Sequence, residues 1–220
     1  MGQRDSLGMP APAAAPMLHA DQAELLAAYD DGVRAVLRIT AGFTPVTWDL
    51  PTTCPEWRAA DLAAHLRCVA DDYHEYLDEA PESRLAKLMA SGAPAPSIER
   101  KLARQNAAEL AVLPDAPPGR HILAFARSAA SYAARITRLL SLPHHRYRDR
   151  VITVGDMAGA ACVEWHVHAW DLASALGLHY RPSRPEAVRV AWAAGVAQTP
   201  LLSDDDPWTA VLRSSGRLAG

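Results

Sequence analysis

Residues 164–173 read EWHVHAWDLA, a stretch that sets a glutamate and two histidines among Trp, Val, Ala and Leu. A buried carboxylate or imidazole costs several kcal/mol unless something pairs with it. Glu164 and His168 are four residues apart, so on a helix their side chains project together, about 6 Å apart at Cβ. His166 lies some 200° around such a helix from both and must face elsewhere. The apolar row through Met157, Ala161, Leu172 and Ala175 runs straight through Glu164 and His168, which puts both on the inward face.

A second stretch repeats the anomaly. His65 falls three after Leu62 and four before Val69, on the apolar stripe of its own helix. Carboxylate and imidazole donors from facing helices can share one divalent cation in a bundle core. Two plainer readings stand beside this one. A histidine on an apolar face can be a hydrogen-bonded core residue, and Glu–His at i, i+4 can be a solvated surface pair. Cys68, three after His65, is a candidate fourth ligand or a small buried thiol. Asp61 and Asp171 are placed to orient the imidazoles of His65 and His168, though Asp61 equally suits a helix N-terminus. His144 and His145, with Arg146, Arg148 and Arg150, form a basic loop in which Arg146 and Arg148 are candidates for a substrate carboxylate; a solvated loop is the alternative. Trp57, Trp165 and Trp170 read as packing residues.

The elements that must position these residues are helical. Periodicities of three and four predict helices over about 21–41, 58–79, 98–113, 120–141, 154–177 and 184–199, with a short turn after Pro207. Asp21 and Glu24 suit a capping box, Thr153 and Asp156 a cap for the helix bearing Glu164, Gly177 its end, and Ser183 with Glu186 a further box. Residues 80–97 are less regular and suit a short helix or a flap. No strand alternation is evident, and 142–153 reads as a loop. These features predict an all-α fold: an up-down four-helix bundle with extra short C-terminal helices, forming one domain over 19–220 behind a disordered Pro/Ala-rich tail at 1–18.

Composition narrows the function. The 220 residues carry a net charge of −3 and a pI near 6.3, which offers no basic footprint for nucleic acid. No apolar run reaches membrane-spanning length and no leader-type segment opens the chain. Three separated cysteines argue against a disulfide framework. A cytoplasmic location is the expectation.

Two segments then carry a resemblance. WDLPTTCPEWRAADLAAHL, at Pro51, Thr52, Cys54, Trp57, Asp61, Leu62 and His65, and VEWHVHAWDLASALG, at Glu164, His168, Trp170, Asp171, Leu172, Ala173 and Gly177, resemble the signature segments of the DinB-like, mycothiol-dependent maleylpyruvate isomerase-type family of metal-binding four-helix bundles. The resemblance implies that His65, Glu164 and His168 bind one divalent metal, usually Zn2+, with mycothiol as co-substrate. It implies an enzyme that uses a low-molecular-weight thiol for S-transfer to, or isomerisation of, an electrophilic small molecule. A homodimer is compatible with it. Other readings are a non-catalytic metal- or ligand-binding stress or regulatory protein, and a hydrolase using metal-activated water. The sequence departs from the family where Arg58 replaces the usual Thr or Ser cap. It also departs in having about twenty residues after the last bundle-sized helix, where members with isomerase activity carry a second domain.

Overall fold

The structure, a computed structural model, describes residues 19–54, 57–79, 82–91, 93–148, 150–196 and 200–218. The tail expected at 1–18 lies outside them. Their elements in chain order are α1 (His19–Thr40), α2 (Pro45–Trp48), α3 (Ala59–Asp78), α4 (Arg84–Ala90), α5 (Ala95–Val112), α6 (Pro118–Ile136), β1 (Pro143–Tyr147), β2 (Arg150–Thr153), α7 (Val154–Ala175), α8 (Pro185–Gly195) and α9 (Pro207–Ser214). The fold is mostly helical, an all-α bundle of the DinB-like kind with extra short helices.

Four long helices close a ring: α1 packs on α7, α7 on α3, α3 on α6, and α6 on α1. Each turns its apolar stripe inward. Leu62, Leu66 and Tyr73 from α3 meet Phe125 and Tyr132 from α6 and Trp165 from α7, all buried. Full burial of such side chains stabilises by about 1.5–3 kcal/mol each before entropy is counted. Tyr29, Tyr73 and Phe125 pack edge-on around Trp165, the offset geometry that ring quadrupoles favour. At Gly32 an added Cβ would sit 2.9 Å from the Cβ of Trp165, so α1 approaches α7 at a distance only glycine allows.

The two ends of α7 follow from local chemistry. Thr153 Oγ1 accepts from the Asp156 amide at 3.1 Å while Asp156 Oδ2 accepts from the Thr153 amide at 2.8 Å, a reciprocal capping box. Gly177, with φ of +66°, lets the Leu178 amide turn back to the Ala173 carbonyl and stop the helix.

Several expectations need correction. Residues 143–147 and 150–153 pair as an antiparallel hairpin, with His145 opposite Ile152 and Tyr147 opposite Arg150. Its inward residues include His144 and His145, so alternation in burial does not appear as alternation in hydropathy. α1 starts by His19, which places Asp21 inside the helix. Pro118 starts α6, where its missing N–H costs nothing. α6 ends at Ile136, short of 141. Arg184, without a side-chain cap bond, precedes α8, because Ser183 Oγ donates to Asp31 and Glu186 pairs with Arg189. The short helix expected as one reading of 80–97 is present over Arg84–Ala90 and needs no correction.

Candidate metal centre

His65 on α3 and Glu164 and His168 on α7 come together. One ligand atom from each lies within 4.8 Å of the others. Twice a zinc–ligand bond is about 4.2 Å, so a small rotamer adjustment would let the three share an ion. Glu164 Oε2 lies 3.1 Å from His168 Nε2, and the rings of His65 and His168 meet edge-on at 5.1 Å. Trp57 packs over the other side of His65, with ring centroids 4.5 Å apart.

Both histidines are buried. His65 Nδ1 has no hydrogen-bond partner among the described residues, which costs about 1–3 kcal/mol unless a bound group satisfies the ring. Burial, with His168 nearby, pushes the His65 pKa down to about 3, so the imidazole is neutral and able to donate a lone pair. Burial works the same way on His168, but hydrogen bonds from its ring to Asp171 and Glu164 outweigh it and raise its pKa. Glu164 is held below the ordinary carboxylate range: burial would raise it, and the bond and charge of His168 reverse that. Two imidazoles and a carboxylate, one imidazole nitrogen lacking a partner, are a donor set suited to a borderline divalent ion.

The residues behind the triad hold it still. Asp171 is fully buried and accepts from His168 Nδ1 at 2.9 Å, which leaves His168 Nε2 facing Glu164. The same carboxylate accepts from Thr53 Oγ1 at 2.5 Å and from Arg217 Nε and Nη2 at 3.2 and 2.9 Å. Burial would raise the Asp171 pKa, but His168 and Arg217 hold it far below the usual range. Thr53 and Arg217 are absent from the residues singled out in the sequence. Thr53 neighbours a threonine that closes its own turn, since Thr52 Oγ1 accepts from the Cys54 amide. Arg217 sits past α9, in a turn that carried no motif.

Other candidates fall elsewhere. Asp61 is exposed and its carboxylate accepts from the Arg58 amide at 2.9 Å, the capping role rather than an orienting one for His65. Cys68 is outside the cluster, its pKa raised to about 11 by burial. Among the described residues all three cysteines are free. Arg146 and Arg148 are exposed on the outer side of the hairpin, Arg148 over the Tyr147 ring, and neither lines the cavity beside the triad. His166 faces α1: it is buried and lies 2.8 Å from the Ala28 carbonyl through Nε2. That carbonyl can only accept, so Nε2 carries the proton and Nδ1 accepts from Tyr180 Oη at 2.5 Å.

The triad lies on a wall between two spaces. A cavity of about 160 Å³ is lined by His65 and Glu164, and a wider cleft of about 440 Å³ by Glu164, His168 and Arg217. The Glu164 side chain is 42% exposed, and that exposure opens onto these two spaces.

The profile of a family described as "Mycothiol maleylpyruvate isomerase N-terminal domain" matches residues 29–173, about two thirds of the chain. The chain belongs to this family. The matched span holds α3 and nearly all of α7, and so all three members of the triad of this maleylpyruvate isomerase-type domain. The hairpin, Asp171 and most of the cavity wall also fall within it, while Gly195, Val196 and Arg217 lie beyond. No match was found among curated proteins or solved structures. No helix among the described residues is long and apolar enough to cross a membrane.

Proposed function

We propose that this mycothiol-family domain is a metal-dependent enzyme in which His65, Glu164 and His168 hold one divalent cation, zinc by the character of the donors. It would join a low-molecular-weight thiol, mycothiol by family, to an electrophilic small molecule, or isomerise that molecule with the thiol's help. The observation that carries the reading is the convergence of three donor atoms within 4.8 Å on two facing helices, beside a cavity. Three protein ligands leave a position open for an exogenous group, as in catalytic rather than structural sites.

A cation here would supply Lewis acidity, enough to keep a coordinated thiol deprotonated at neutral pH. The chain's own residues do the rest. Asp171 accepts the His168 Nδ1 proton and so presents the other ring nitrogen to the shared site. Arg217 and Thr53 keep the Asp171 carboxylate ionised and oriented. Glu164, lining both cavity and cleft, lets two reactants approach from opposite sides. Apolar side chains such as Val69, Leu85 and Met157 limit water on the cavity side.

The first test is elemental analysis of protein purified without added metal, followed by electrophile consumption with and without a thiol. About one equivalent of a transition metal and saturable, thiol-dependent turnover are expected. Metal-free protein that is folded and refuses zinc would end this reading. Turnover without thiol would point to hydrolysis instead.

A further inference from the structure

The charges around the cavity beside the triad are unbalanced. Of its described lining residues only Asp72 and Glu164 carry carboxylates, and none is a lysine or arginine. Asp72 follows His65 by seven residues on α3, two helical turns and about 10 Å along the axis. Its Oδ2 accepts from Tyr76 Oη at 3.2 Å, and Asn106 lines the same space. The nearest cation, Arg84, is 3.6 Å from Asp72 but also serves Glu75 at 3.1 Å and Glu109 at 3.5 Å. One half-exposed guanidinium shared by three carboxylates leaves the cluster acidic. The side chain of Asp72 itself is only 16% exposed. Burial and the charge of Glu109 push its pKa up to about 7, as expected of a carboxylate short of positive partners. His145 does not correct the balance: burial and His144 push its pKa down to about 4. The rest of the described wall is mostly apolar, with Leu85, Met89, Leu102, Ile152 and Met157 among it, and also includes His65, Tyr73 and Tyr147.

We propose that this cavity takes a ring-sized molecule whose amine or hydroxyl donor binds Asp72, and that its Asp72 end, two helical turns from the triad, disfavours a carboxylate. The inference rests on the triad being the reaction centre, since that makes the occupant the electrophilic substrate. A volume of about 160 Å³ holds roughly one aromatic ring, and the wider cleft on the other side of Glu164 leaves more room for the thiol. A ligand carboxylate placed at Asp72 would be desolvated with no lysine or arginine among the described lining residues to pair it, and like charges in contact repel strongly where water is excluded. A carboxylate is therefore poorly held at the Asp72 end of this space, whereas an amine or alcohol completes the unfilled acceptor capacity of Asp72.

The test uses three probes of one shape: benzylamine, benzyl alcohol and benzoate. Their binding is measured by calorimetry at about pH 8 on the full chain as purified and again after chelation. In the chelated protein benzylamine is expected to bind at least about tenfold more tightly than benzoate. In both states Asp72→Asn should erase the lead of benzylamine over benzyl alcohol while keeping benzyl alcohol within about threefold of wild type. Asp71→Asn removes an equal charge from an exposed neighbour and should leave the order intact. Three results would each overturn the proposal: benzoate binding as well as benzylamine to the chelated protein, a benzylamine lead that survives Asp72→Asn, or no binding of any probe. The two readings fail separately. Protein that keeps the probe order but shows no thiol-dependent turnover removes the reaction-centre reading alone. Turnover combined with a benzoate preference removes the cavity proposal alone.

Discussion

Arg217→Ala is the most informative single substitution. Asp171 is 0% exposed and its carboxylate has four donor contacts: Thr53 Oγ1, His168 Nδ1, and Nε and Nη2 of Arg217. Removing Arg217 deletes both charge-assisted bonds and leaves a buried anion facing one hydroxyl and one imidazole. Breaking a buried pair in this way costs about 3–5 kcal/mol. Because the Arg217 side chain is 17% exposed, water can replace part of it, and the low end, about 3 kcal/mol, is expected. In a chain of this size that is a drop of about 6–12 °C in Tm. Arg217→Lys should recover less than half, since an ammonium cannot make the bidentate contact.

The assay is thermal unfolding of the chelated protein in a double-mutant cycle with Asp171→Asn. Arg217→Ala should cost at least about 2 kcal/mol less when Asp171→Asn is already present, because the neutral amide leaves no stranded anion. Metal affinity, measured by competition where the variants are folded, should weaken by about 10–100-fold, as for other residues that orient a ligand imidazole. A Tm change below about 2 °C together with unchanged metal affinity would refute the argument that the turn after α9 holds the centre.

Three further expectations follow from the same geometry. His65→Ala, Glu164→Ala and His168→Ala should each reduce bound metal from about one equivalent to a small fraction by elemental analysis; full occupancy in any variant removes that residue from the ligand set. Gly32→Ala should destabilise by about 1–3 kcal/mol in urea unfolding, because its Cβ would meet Trp165 Cβ at 2.9 Å and the His166 ring at 3.2 Å; Gly119→Ala, whose Cβ meets nothing, should be neutral or slightly stabilising. The Asp72 pKa is about 7 in the folded chain and 3.8 as the unperturbed value, so the folded state binds the extra proton between them. Its contribution is therefore present at low pH and lost as pH rises through about 7. Asp72→Asn should gain on wild type from about pH 4 to 7, by less than about 1.4 kcal/mol per pH unit, and the gap in melting curves should level off above that.

The parts of this protein that were legible in its sequence are those where local rules and burial agree. The stripe through Met157, Ala161, Glu164 and His168 could be read because a helix repeats every 3.6 residues and polar interruptions of an apolar row stand out. Thr153, Asp156 and Gly177 were readable because caps are formed by residues within a few positions of one another. The hairpin escaped notice because its buried residues include two adjacent histidines, His144 and His145, with Nδ1 atoms 2.8 Å apart, and polar residues turned inward carry no hydropathy signal. Arg217 was invisible for another reason. Its value comes from Asp171, 46 positions earlier, and a lone arginine in a turn has the same local signature whether it faces water or a buried carboxylate.

The cavity wall shows the limit most clearly. Its described residues come from α3, α4, α5, the hairpin, α7, α8 and the residue after α8, and two of those segments, 80–97 and 142–153, have no regular apolar pattern. A metal triad can be recognised in two helices because its members keep fixed intervals within each. A binding cavity keeps such intervals only within a helix that supplies several residues, as α3 does with five; the other segments each supply one to three at positions set by packing. The same asymmetry bears on function. Family membership speaks to the triad, which lies wholly within the matched span, whereas substrate choice depends on side chains such as Asp72, Asn106 and His145, which no interval ties together. A family name can therefore point to the chemistry at the centre and still misstate the charge of the molecule on which it acts. Here the group met at the end of the cavity away from the triad is Asp72, with no lysine or arginine among the described lining residues.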